Sequence, residues 1–125
     1  MTPGLLLWLM LAGAGGAVCR YALDYGISSR VRGRFPWGTV AVNLSGSLVL
    51  GLLAGSVLFQ ELPVDSYVVF GAGFLGAYTT FSTWLVEVVR LAQEGRWGAA
   101  LSHALGSLGL GVAAAGLGLW AAAAF

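Results

Sequence analysis

Polar side chains are scarce in this sequence, and those that fall within apolar stretches are its candidates for chemistry, because burying such a group costs free energy unless it finds a partner. Thr39, Asn43 and Ser47 recur at i, i+4 and i+8, which sets three hydrogen-bonding groups on one face of a helix. His103 and Ser107 repeat that spacing, and Gly111 continues it. Two polar stripes on apolar helices are either the lining of a path or interhelical hydrogen bonds worth ~1 kcal/mol each. A third concentration runs from Gly71 to Trp84, where three glycines are followed by the hydroxyls of Tyr78, Thr79, Thr80, Ser82 and Thr83. Glycines and adjacent β-branched residues make a poor helix, so a local break is expected there. Backbone groups freed by a break at membrane depth must be buried in protein or bind something, and carbonyl oxygens suit a hard monovalent cation. No phosphate loop, metal-ligand cluster or nucleophile with a paired base is present, so an enzyme is not expected. Cys19, the single cysteine, excludes an internal disulfide and reads as a small buried apolar residue. A net charge of +1 gives no reason to expect a nucleic-acid partner.

The elements that must position these residues follow from composition. Of 125 residues 58% are hydrophobic and only 9% charged, too little charge for the surface of a water-soluble domain. Four apolar stretches, Pro3 to Ile27, Gly38 to Phe59, Ser66 to Leu91 and Gly98 to Phe125, each reach the ~20 residues needed to cross a bilayer. The chain therefore reads as one all-α transmembrane domain over residues 1–125, with four helices, the third broken in mid-span. The first stretch lacks the basic flank of a secretory signal and is kept as a mature helix. The alternation expected of a membrane β-barrel is missing. Gly106, Gly109, Gly111, Gly116 and Gly118 are expected to let the last helix approach its neighbours closely.

Arg30, Arg32 and Arg34 occupy the first connection and Arg96 the third, whereas the second, Gln60 to Asp65, holds Glu61 and Asp65 and no basic residue. By the positive-inside rule the two arginine-bearing connections face the cytoplasm and the termini lie outside. Trp8, Trp37, Trp97 and Trp120 stand toward span ends, where indoles favour the membrane interface.

Several ordered motifs carry a resemblance over nearly the whole chain. They are Gly15-Gly-Ala-Val-Cys-Arg20-Tyr21, Gly38-Thr39 with Val42-Asn43 and Gly46-Ser47, and Gly73-Phe-Leu-Gly76 with Thr79-Thr-Phe-Ser-Thr83; Glu87 and Gln93-Glu-Gly-Arg96 also fit. With these the sequence resembles the small dual-topology fluoride channels often called Fluc. The resemblance implies two four-helix subunits packed antiparallel in the inner (plasma) membrane, two fluoride pores along their interface and a structural sodium ion at the centre. Carried over by position, the carbonyls of Gly76 and Thr79 hold the sodium, and Asn43 and Phe81 face the fluoride path. His103 and Ser107 sit on its polar track, Thr39, Ser47 and Trp84 are further pore positions, and Arg20 attracts the anion at a pore mouth. This chain departs from the pattern at Trp84, where a second pore phenylalanine usually stands, and on the polar track at His103 and Gly111.

Such a channel would relieve toxicity passively, because hydrogen fluoride crosses membranes uncharged and releases fluoride in the neutral cytoplasm. The residues are suited to this, since neutral donors on Asn43 and Ser107 and the electropositive ring edge of Phe81 can replace fluoride's water without holding the anion too tightly to leave. Two other functions compete. A small proton-coupled multidrug exporter needs a mid-membrane carboxylate, whereas the only acidic residue deep in spans two to four is Glu87, toward the end of the third. A non-transporting assembly subunit would leave the broken helix and polar stripes without a purpose. The expected partners are fluoride, sodium, membrane lipid, and a second copy of the chain or a homologous subunit of opposite orientation.

Overall fold

A computed structural model describes residues 1–125. The four expected spans are all present as helices: α1 is Pro3–Ser28, α2 Trp37–Phe59, α3 Val64–Gln93 and α4 Trp97–Ala124. No strand is formed. Helix ends follow local chemistry. Thr2 caps α1, its hydroxyl accepting from the Leu5 N–H at 3.2 Å, and Pro3 fits the first helical position because its missing N–H would have had no partner there. Pro36 precedes α2 and Pro63 precedes α3, while Gly95 takes φ +76° in the tight connection to α4.

Packing is between helices and depends on missing side chains. The most extensive interface joins α2 to α4. There a Cβ on Gly51 would run into the Ala115 backbone, and one on Gly118 into the Leu48 and Leu52 backbone, so the two helices touch main chain to main chain. The expectation of close approach at five glycines of α4 narrows accordingly: a Cβ on Gly106, Gly109 or Gly116 meets nothing within 4 Å, and one on Gly111 only the Ser47 hydroxyl at 3.7 Å. Spacing alone does not separate the face turned toward α2 from the open face. On the other side α1 lies along the first half of α3, where Gly16 receives the Phe74 backbone.

Only 17 residues are buried, and the core proper is Val42, Leu75 and Tyr78, with Leu53 and Phe74 against it. The rest of the apolar surface faces outward, as it does when lipid is the solvent. Trp8, Trp37, Trp97 and Trp120 are all exposed. Cys19, expected to be buried, is exposed as well, because its face of α1 turns away from the other helices.

The third helix is broken, and the position of the break refines the expectation. The glycine-rich part stays helical, widened to a π-helix over Tyr67–Leu75, with Gly73 and Phe74 packed against α1. The chain leaves helical geometry after Tyr78, with Thr79 extended at φ −77°, ψ 159°, and resumes as the helix Ser82–Gln93. The threonines, not the glycines, mark the break.

Candidate functional site

At the break, side chains take over the backbone's hydrogen bonds. Asn43, in the middle of α2, accepts from the Thr80 N–H through Oδ1 and donates from Nδ2 to the Thr80 carbonyl, both at 2.8 Å. One amide side chain thus satisfies both polar groups of one peptide residue, which is why an interrupted helix can persist away from water. The Thr80 hydroxyl in turn accepts from the Thr83 N–H at 3.2 Å, satisfying a backbone donor in the first turn of the resumed helix. Because the Thr80 N–H points to Asn43, the Gly76 carbonyl loses its helical partner, and neither it nor the Thr79 carbonyl receives a hydrogen bond from the chain. Two carbonyl oxygens are left free three residues apart.

Beside the break lies a cleft of about 440 Å³ between α2, α3 and α4. Its polar lining is Asn43, Ser47, Thr79, Thr80, Trp84 and Ser107, with Phe81 at its side and Gly76 and Gly111 in its wall. Asn43 keeps one amide N–H for the cleft. Phe81 is 68% exposed and stands 5.3 Å, centroid to centroid, from the Trp84 ring. The Trp84 indole N–H is already spent on the His103 carbonyl at 2.9 Å, so Trp84 offers the cleft a ring surface and no donor.

The structure gathers some of the expected pore residues here and places others elsewhere. Asn43, Ser47, Phe81, Trp84 and Ser107 share the cleft with Gly76 and Thr79. Thr39 and His103, expected beside them, do not line it. Both are buried, at 2% and 0% exposure, in a network centred on Glu87: the Thr39 hydroxyl donates to Glu87 Oε1 at 2.7 Å, and His103 Nε2 lies 2.9 Å from Glu87 Oε2. His103 Nδ1 lies 3.1 Å from the Ser107 hydroxyl, so the network ends at the cleft. The i, i+4 spacing places Thr39 with Asn43 correctly along α2, but a carboxylate on another helix draws Thr39 inward. Glu87 is therefore the residue that motif and spacing undervalue, and its signal is an acidic side chain within a span.

Arg20 is also off the cleft. It lines a cavity of about 160 Å³ with Tyr21, Asp24, Thr39, Thr80 and Thr83. Thr80 borders both spaces. A third space, a polar vestibule of about 410 Å³, opens at the arginine-bearing end and is lined by Asp24, Arg34, Glu87, Arg90 and Glu94 among others. Glu87 thus stands between the vestibule and the buried histidine.

A cleft of neutral donors beside an aromatic edge is suited to passing a small ion and contains no apparatus for bond-making chemistry. Comparison with known proteins agrees. The profile of the family described as CrcB-like protein, Camphor Resistance (CrcB), matches residues 7–119. The chain is 48% identical over 120 residues to the fluoride-specific ion channel FluC 1 of Leifsonia xyli subsp. xyli, covering 96% of this chain and 88% of that one. It is 51% identical over 116 residues to FluC 1 of Symbiobacterium thermophilum, covering 90% and 94%. With FluC 2 of Mycobacterium tuberculosis it shares 42% over 122 residues, covering 98% and 94%. With four membrane-spanning helices and a match over nearly its whole length, this multi-pass membrane protein belongs to the CrcB-like family.

Proposed function

We propose that the chain is the subunit of a fluoride-selective channel that lets fluoride leave the cytoplasm passively. The observation that carries this reading is the donor set of the cleft: the free N–H of Asn43, the hydroxyls of Ser47 and Ser107 and the edge of Phe81, with no fixed cation among them. Fluoride accepts hydrogen bonds and is costly to dehydrate, so it needs several donors at once, and neutral donors let it go again. The names of the relatives point the same way. An inside-negative potential of ~100 mV contributes ~2.3 kcal/mol per charge to anion exit, which sustains roughly a 50-fold gradient without a pump. Neither the exporter nor the assembly-subunit reading accounts for this cleft, and Glu87, the carboxylate an exporter would use, is engaged by Thr39 and His103.

The finer parts of the proposal are an antiparallel dimer with two pores and a central sodium ion. The single subunit supports the first by what it leaves open: Phe81 and one side of the cleft lack cover in the isolated chain. The free carbonyls of Gly76 and Thr79 fit the second. A hard monovalent cation takes such oxygens, and when bound it would lock the broken helices of two subunits together.

Reconstituted into liposomes with an outward gradient, the protein is expected to pass fluoride and retain chloride; equal fluxes of the two anions would overturn the proposal. Self-pairing requires insertion in both orientations, although the arginines of the connections all lie on one side. A single cysteine at Ser66, in a Cys19→Ser background, is expected to react to about half its total with a membrane-impermeant label on intact cells. All-or-none labelling, recovered on lysis where absent, identifies a fixed orientation and a homologous partner instead.

A further inference from the structure

The buried network between vestibule and cleft has a property that follows from counting its protons. His103 is wholly buried, and its ring nitrogens meet only Glu87 Oε2 at 2.9 Å and the Ser107 hydroxyl at 3.1 Å. Two lone pairs cannot face each other at such a distance, so one proton always lies between Nε2 and the carboxylate. When the pair holds only that proton, it sits on Nε2 and Nδ1 is bare. Ser107 then spends its single hydroxyl proton on Nδ1 and turns lone pairs toward the cleft. When the pair holds a second proton, Nδ1 carries one, whether the ring is doubly protonated beside a carboxylate or the carboxyl is protonated and the ring has changed tautomer. Nδ1 then donates to Ser107, and the hydroxyl proton is free to point into the cleft.

We infer that Glu87 and His103 form a proton-linked switch on Ser107, such that fluoride held beside Ser107 is bound together with one proton on the pair. The inference rests on the fluoride-channel reading above. Fluoride is purely an acceptor, so it selects the arrangement in which Ser107 donates, and it also gains from the change in the pair's net charge from −1 to zero. The proton comes from the vestibule, where Glu87 is accompanied by Asp24 of α1, Arg34 of the first connection and Arg90 and Glu94 of α3. Besides Glu87, the imidazole meets the uncharged hydroxyl of Ser107 and packs roughly perpendicular to the Phe35 ring, 5.5 Å away between centroids. His103 is a positioning residue in this scheme: it reaches the anion only through Ser107.

His103 is the single histidine, so its imidazole nitrogens can be followed without assignment in ¹⁵N-histidine-labelled protein in lipid nanodiscs. In the one-proton state Nδ1 is expected to read as unprotonated, to become protonated when sodium fluoride is added, and to stay unchanged with sodium chloride. Ser107→Ala is expected to abolish the fluoride response of Nδ1. In liposomes, fluoride efflux at subsaturating concentration should rise as pH falls, by at most about tenfold per pH unit for one linked proton, after subtraction of the hydrogen fluoride leak of protein-free vesicles. His103→Gln should flatten that profile. A wild-type protein that conducts fluoride while Nδ1 ignores it overturns the switch and leaves the channel intact; no fluoride flux at any pH overturns the channel reading itself.

Discussion

Asn43→Asp is expected to stop fluoride flux at neutral pH. The substitution changes one atom type and acts twice. The carboxylate keeps an acceptor for the Thr80 N–H but faces the Thr80 carbonyl, which Asn43 Nδ2 now reaches at 2.8 Å, with a second oxygen. It also places a full negative charge in the cleft that fluoride would traverse. Two unit charges ~4 Å apart repel by about 4 kcal/mol at an effective dielectric of ~20, close to a thousandfold in occupancy. Efflux from liposomes at neutral pH measures the result, and size-exclusion chromatography checks that the protein still folds. A folded variant with wild-type flux would remove Asn43 from the path.

Gly118→Ala is expected to unfold or destabilise the protein severely, while Gly116→Ala, two residues away, is expected to be tolerated. The added methyl is the same in both. At Gly118 it collides with the Leu48 and Leu52 backbone, which cannot turn aside as a flexible side chain would; at Gly116 it meets nothing within 4 Å. Overpacking costs ~1–3 kcal/mol where neighbours can adjust, and a backbone collision lies at or beyond the upper end. An alanine in open space instead gains roughly 0.5–1 kcal/mol of helix preference. Thermal unfolding of the two purified variants, followed by loss of the monodisperse peak, measures the difference. Equal midpoints would show that α2 and α4 are not held by this contact.

Much of this architecture is legible in the residues themselves. Four runs of sufficient length and apolarity leave the backbone one way to satisfy its hydrogen bonds in lipid, so the number, class and approximate ends of the helices follow from composition. That α3 is interrupted follows too, from residues that propensity disfavours, although its place falls at the threonines and not at the glycines. Asn43, Ser47, Phe81, Trp84 and Ser107 can be nominated because polar or motif-bearing residues within spans are few. Rotation about each helix axis and pairing across distant sequence are not legible. Helical spacing sets Thr39 in line with Asn43, yet Glu87, 48 residues on, bonds Thr39 and turns it away from the cleft. The same carboxylate bonds His103, which does not line the cleft, and leaves Ser107 as its contact there. Only the packed helices decide which of the last helix's glycines touches a backbone, and only there does Asn43 replace the missing helical bonds of Thr80. Local pattern fixes what a residue can offer, whereas its partner is chosen by contacts between segments that the order of the chain does not place side by side.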